Sequence, residues 1–172
     1  MAPSIQIRSA VPADTLGVAQ VHVHSWQAAY RGLPPQHYLD SLRAEDRAAC
    51  YDFSRNDAGK PLTRVAVSGD IILGFATTMP YHDEALTDFG ELCALYVDPN
   101  RWGIGLGVAL VTDARERMRH RGFRHAVLWL LNGNVRADRF YRNDSWFPDG
   151  AHKREVMWGI DVEELRYQRP LT

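Results

Sequence analysis

The feature that most restricts this chain is a strand-like run that ends at Asp-Pro and passes through a glycine-rich turn into an amphipathic helix. It reads Leu95-Tyr-Val-Asp-Pro-Asn-Arg-Trp-Gly-Ile-Gly-Leu-Gly107. Glycines at 103, 105 and 107 permit left-handed backbone and close approach of a partner. Beyond them Leu106, Leu110, Ala114 and Met118 fall on one helical face, so 103–121 is predicted as turn plus helix, closed by Gly122. Such a unit aims backbone N–H groups out of a helix N-terminus, where each negative charge gains roughly 0.3–1 kcal/mol. A tight turn that merely packs helix on sheet would need the same glycines, and the segment alone does not separate the two readings. Two nucleotide motifs are excluded. A dinucleotide fingerprint needs a third glycine where Val108 or Leu110 stands, and no Gly-Lys-Ser/Thr occurs for a Walker loop. An anionic ligand here would carry a pyrophosphate without being a Rossmann-bound dinucleotide or an NTP.

The rest of the chain supplies an α/β frame. Alternation over 4–8 predicts a first strand. The spacing of Leu16, Ala19, Val23, Trp26 and Tyr30 predicts a helix over 12–30, stopped by the run at 31–35. Two short helices follow over 36–42 and 44–53, and 56–61 reads as a loop. Runs at 62–67 and 71–79 form a hairpin about Gly69-Asp70, and 91–97 is the next strand. Residues 125–131 are almost continuously apolar, as in a strand covered on both faces, and 134–143 is helical. Two last strands are predicted near 153–156 and 165–169. The intermixed order predicts an α/β or α+β fold. No repeat or linker divides the chain, so 1–172 is expected to be a single domain.

Composition removes several functions. A net charge of -1 gives no bulk attraction to nucleic acid or an anionic membrane. No apolar run approaches membrane-spanning length and the N-terminus has no leader pattern, which makes the cytoplasm the expected location. Cys50 and Cys93 have no disulfide or metal-ligand spacing, and Cys93, inside an apolar run, is expected to be a buried thiol. His22 and His24 lie about 200° apart on a helix and cannot share a metal, so no metal is expected.

Val97-Asp-Pro99 followed by Trp102-Gly-Ile-Gly-Leu-Gly107 resembles the acetyl-CoA pyrophosphate loop of the GNAT superfamily of N-acetyltransferases, with Trp102 where Gln or Arg is usual. Asn134-Val-Arg-Ala137-Asp-Arg-Phe140-Tyr141 resembles the family's Asn-x-x-Ala-x-x-Phe/Tyr-Tyr helix, though Ser145-Trp146 replaces its closing Gly-Phe. Trp26-Gln-Ala-Ala-Tyr30-Arg-Gly32 and Arg166-Tyr167 resemble signatures of one bacterial branch. The motifs occur in order over almost the whole chain. The resemblance implies a mixed, mostly antiparallel sheet of about six to seven strands with helices on both faces and splayed fourth and fifth strands. It also implies a transferase that moves an acetyl group from acetyl-CoA to a small-molecule or peptide amine. The alternative on the same fold is a non-catalytic acyl-CoA-binding module. Homodimers are common among similar proteins.

The same resemblance assigns residues. Leu95, Tyr96 and Val97 would hold the cofactor arm, and Trp102, Gly103, Ile104, Gly105, Leu106, Gly107 and Val108 the pyrophosphate. Asn134 would bond the arm or cap its own helix, and Tyr141 would be the general acid. Glu91, opening a strand, is the candidate base, with a solvent-exposed strand end as the equal alternative. In the branch that acetylates protein N-termini the base stands five residues before the motif asparagine; here that residue is Trp129. Trp26, Tyr30 and His82 are the candidates for the acceptor pocket.

Overall fold

The computed structural model describes residues 4–30, 32, 35–54, 59–157 and 159–172. One seven-stranded sheet organises them. Its strands are β1 (Ile5–Ser9), β2 (Leu62–Ser68), β3 (Ile71–Pro80), β4 (Phe89–Val97), β5 (His125–Leu131), β6 (Phe147–Met157) and β7 (Ile160–Pro170). They run in the order β1-β2-β3-β4-β5-β7-β6, antiparallel except where β4 meets β5. The parallel join follows from the connection: α4 (Leu106–His120) carries the chain back along the sheet between these two strands.

Helices cover both faces. α4 and α5 (Val135–Asn143) lie on one side of a core that includes Leu92, Val97, Leu110, Met118, Leu128, Trp146 and Tyr167. On the other side α1 (Thr15–Ala29) packs Val18 and Val21 against Val65, Val67 and Phe75, flanked by α2 (Gln36–Ser41) and α3 (Ala44–Ala48). Along β4 the side chains alternate between the clusters, with Ala94 and Tyr96 toward α1, and Leu95 and Val97 toward α4. Leu92 also faces α4, because the register with β3 slips at Thr77/Thr78 and Cys93 is the extra, bulged residue.

Several predicted details are corrected. Of the stripe predicted for α1, Ala19 and Val23 are buried but Leu16 is exposed, and the buried face also takes in Val18, Val21, His22 and Ser25. The apolar count overlooked two polar residues that find partners inside: His22 with Tyr51, and Ser25 with the Val97 carbonyl at 3.0 Å. Cys93 is not buried, since the bulge turns it out of the sheet. The last two strands are far longer than 153–156 and 165–169. Pro148 and Gly150, residue types that favour turns, are absorbed as an irregularity inside β6, with Gly150 at φ +90°. On the outer side of α4, Arg115 pairs with Asp144 at 3.0 Å. The predicted stop at 31–35 and loop at 56–61 fall largely outside the described residues. No helix among the described residues is long and apolar enough to cross a membrane, and none of their His, Cys, Asp and Glu side chains cluster as metal ligands would.

Candidate active site

β4 and β5 pair only over Phe89–Glu91 and His125–Val127. Beyond that point β4 stays with β3 as far as Val97, and β5 stays with β7 as far as Leu131. The facing edges therefore part, and a bulge at Cys93 bends β4 where the separation begins. The gap is a cleft of about 490 Å³ walled by residues 92–97 and 128–130. Peptide groups along a parted edge have lost their ladder partners and are available to another chain-like ligand.

The turn after β4 closes one end of the cleft. Asp98 accepts a hydrogen bond from the Asn100 N–H at 2.9 Å and Pro99 starts a single 3₁₀ turn, so the chain reverses sharply into Trp102. Gly103 and Gly105 have φ of +82° and +88°, and a Cβ on either would meet nothing within 4 Å. Gly105 caps α4 without any side-chain bond. The N–H groups of residues 103–108 have no acceptor among the described residues, which leaves a concave set of donors at a helix N-terminus. Gly107 serves packing instead. A Cβ there would stand 3.1 Å from Phe140 Cε2, so its absence lets α5 lie against α4. Ile104, by contrast, is largely exposed and does not line the cleft.

α5 forms a second wall. The Asn134 side chain accepts the Ala137 N–H at 3.2 Å, capping the helix, and also bonds to the Tyr30 side chain. Two turns on, Tyr141 is buried against Phe140 and Trp146 and still reaches the cleft. Its hydroxyl has no hydrogen-bond partner among the described residues, and burial holds its pKa well above the ordinary tyrosine value, with Tyr96 and Asp144 adding to the rise. Tyr30, at the end of α1, also lines the cleft; its side chain bonds Tyr96 and Asn134, so it links β4 to α5.

Glu91 lies at the last paired position of β4, just outside the cleft lining. Burial raises its carboxyl above the usual range, while Lys153 and His82 pull it partly back. It is thus half-buried rather than a freely solvated strand end. His82 itself is exposed. Trp26 packs edge-on to Tyr30 and His22 and supports the pocket from behind without lining it. Beneath it, burial and the nearby Arg47 charge push His22 down to about 3, so it is a neutral core residue.

Of the residues singled out in the sequence, Tyr30, Leu95, Tyr96, Val97, Trp102, Gly103, Gly105, Leu106, Gly107, Val108, Asn134 and Tyr141 meet in this cleft, and Trp26, His82, Glu91 and Ile104 do not line it. Sequence reasoning missed Cys93, Trp129 and Arg136, which do. Cys93 opens into the cleft, where the surrounding walls still desolvate its sulfur and, with the Glu91 charge, push the thiol up to about 12. Trp129 sits on β5 with the Lys153 ammonium 4.4 Å from its ring centre. Alternation along β5 puts it on the face of Val127, the partner of Glu91, a signal that was readable in advance.

The sequence profile of the Acetyltransferase (GNAT) family matches residues 22–144. The uncharacterized N-acetyltransferase YuaI of Bacillus subtilis is 30% identical over 133 residues, covering 76% of this chain and 73% of YuaI. Among solved structures, PaiA N-acetyltransferase from Thermoplasma acidophilum in complex with coenzyme A superposes with a TM-score of 0.72 at 20% identity, covering 97% of this chain and 99% of that one. YncA from Salmonella typhimurium with its cofactor acetyl-CoA superposes with a TM-score of 0.72 at 20% identity, covering 98% and 94%.

Proposed function

The chain belongs to the GNAT acetyltransferase family, and on that footing we propose that it acts as one domain that transfers an acetyl group from acetyl-CoA to a primary amine of a small molecule or peptide, by direct attack in a ternary complex. The observation that carries this reading is the meeting of two features in one cleft. Unpaired strand edges suit the amide-bearing cofactor arm, and the acceptor-less N–H groups of residues 103–108 suit its diphosphate. The coenzyme A and acetyl-CoA named for PaiA and YncA agree with it.

Bound acetyl-CoA supplies a thioester whose carbonyl is open to a nucleophile. On this reading Leu95, Tyr96 and Val97 align the arm along β4, and a strand N–H faces the carbonyl oxygen as negative charge develops. An alkyl amine with a pKa of about 10.4 is neutral only a few parts in ten thousand at pH 7, so a base is useful. Glu91 takes that proton through water, and its raised pKa brings it closer to the working pH. Tyr141, kept protonated by burial, donates to the departing sulfur. On the same reading Tyr30 and Trp129, which line the cleft, border the incoming amine.

A screen of thiol release from acetyl-CoA across alkyl amines, amino acids, aminoglycosides and peptides tests the proposal. Release that depends on one amine class is expected. Tight acetyl-CoA binding with no amine-dependent release from any class would identify an acyl-CoA-binding module instead.

A further inference from the structure

We propose that Arg136, braced on Trp102, is a phosphate-binding residue of the cleft, supplying a side-chain cation to a phosphate group of coenzyme A; the inference rests on the cofactor reading above. The guanidinium carbon lies 3.3 Å from the centre of the Trp102 ring. That ring is itself held, since its N–H donates to the Val97 carbonyl at 2.9 Å and its body packs on the core. A flexible arginine stem is thereby fixed next to Gly103, where the acceptor-less N–H groups begin.

Apart from the Trp102 ring, nothing among the described residues offsets a cation at this place. Arg136 is the second residue of α5, and a positive charge in the first turn of a helix opposes its dipole. The N-terminus of α4 opens into the same cleft, so two positive helix ends and a guanidinium converge. Arg8, Arg64, Arg115, Arg142 and Arg166 each pair with an aspartate, whereas Arg136, like Arg101 in the same lining, meets no carboxylate among the described residues. An anion brought in by a ligand would resolve all three charges at once. A planar guanidinium lying on an indole keeps its N–H edge free to bond phosphate oxygens.

Arg136 also borders a second, shallower hollow of about 520 Å³, lined with Val135, Arg139, Phe140 and Asn143. It therefore stands on the ridge between the cleft and a basic recess. Coenzyme A offers two phosphate sources for such a contact, the diphosphate and the ribose 3′-phosphate.

Calorimetric dissociation constants for CoA and 3′-dephospho-CoA, with the parent protein, Arg136→Met and Arg136→Lys, decide the matter. The arginine is exposed on a helix surface, so the folded state of each variant is readily confirmed by circular dichroism. Methionine matches the length and can still cover the indole without a charge. It is expected to weaken CoA binding about 10- to 100-fold, the worth of a charge-assisted contact, with lysine between methionine and arginine. A diphosphate contact weakens both ligands equally in Arg136→Met, and a 3′-phosphate contact weakens CoA alone; both results support the proposal. CoA binding by Arg136→Met within twofold of a parent that binds CoA would overturn it. A parent that binds no CoA would overturn the cofactor reading, and this inference with it.

Discussion

Replacing Gly105 with alanine separates what the turn does for folding from what it does for a ligand. Gly105 has φ +88°, and a residue with a Cβ pays about 1–2 kcal/mol in that region. For a chain of this size each kcal/mol lowers the melting temperature by about 2–4 °C, so Gly105→Ala is expected to melt roughly 2–8 °C lower. The added methyl meets no protein atom within 4 Å, so packing contributes nothing further to that loss. It stands instead in the cleft beside the free N–H groups, and CoA affinity is expected to fall by at least about tenfold, the equivalent of 1.4 kcal/mol. Gly107→Ala is the matched control. Its backbone is helical, where alanine gains up to about 1 kcal/mol over glycine, and that gain is set against the displacement of the Phe140 ring, 3.1 Å from the added Cβ, that packs α5 on α4. Its stability should stay near that of the parent, and its CoA affinity should change less than that of Gly105→Ala. Differential scanning calorimetry and titration calorimetry on the same samples give both quantities. A Gly105→Ala protein that melts lower yet binds CoA as tightly as the parent would rule out a ligand at this turn.

Three further outcomes are expected. Tyr141→Phe should lower kcat by about 10²–10⁴ while the acetyl-CoA dissociation constant stays within about twofold; an unchanged kcat removes Tyr141 from the reaction. Because burial raises the Glu91 carboxyl, kcat/KM should fall as pH drops through a value above the usual carboxylate range, and Glu91→Gln should abolish that acidic limb along with most of the rate. Persistence of the limb in the variant assigns it to another group. His22 is neutral in the native state with a pKa near 3 against 6.5 when unfolded, so the unfolded chain binds the extra proton. Stability from this residue is therefore complete above about pH 6.5 and declines below it by at most about 1.4 kcal/mol per pH unit, a slope that His22→Phe should reduce in urea melts.

Much of the site was legible because its signals are local. Gly105, Asn134 and Tyr141 announce themselves by a glycine turn, a helix cap and a short motif, each within a dozen residues. β5 and α5 were predicted within a residue of their ends for the same reason. What stayed hidden depends on contacts between distant segments. Cys93 is exposed only because β3 and β4 slip in register, and no property of residues 91–97 alone reveals that. His22 and Ser25 break the apolar count of α1, and their burial makes sense once Tyr51 and the Val97 carbonyl are beside them. Arg136 is one arginine among many until Trp102 is found beneath it. The β6–β7 pair outgrew its prediction because pairing along β7 carries the chain through Pro148 and Gly150, whose local preference is to turn.

A cofactor role for this cleft requires that backbone N–H groups of the turn meet a diphosphate. Titration of ¹⁵N-labelled protein with coenzyme A, following the amide resonances of Gly103, Gly105 and Gly107, reads that contact at the atoms concerned. These resonances should move among the furthest in the spectrum, with those of residues 92–97 shifting alongside. Saturation by coenzyme A that leaves the turn resonances in place while others move would place the diphosphate elsewhere and overturn the assignment.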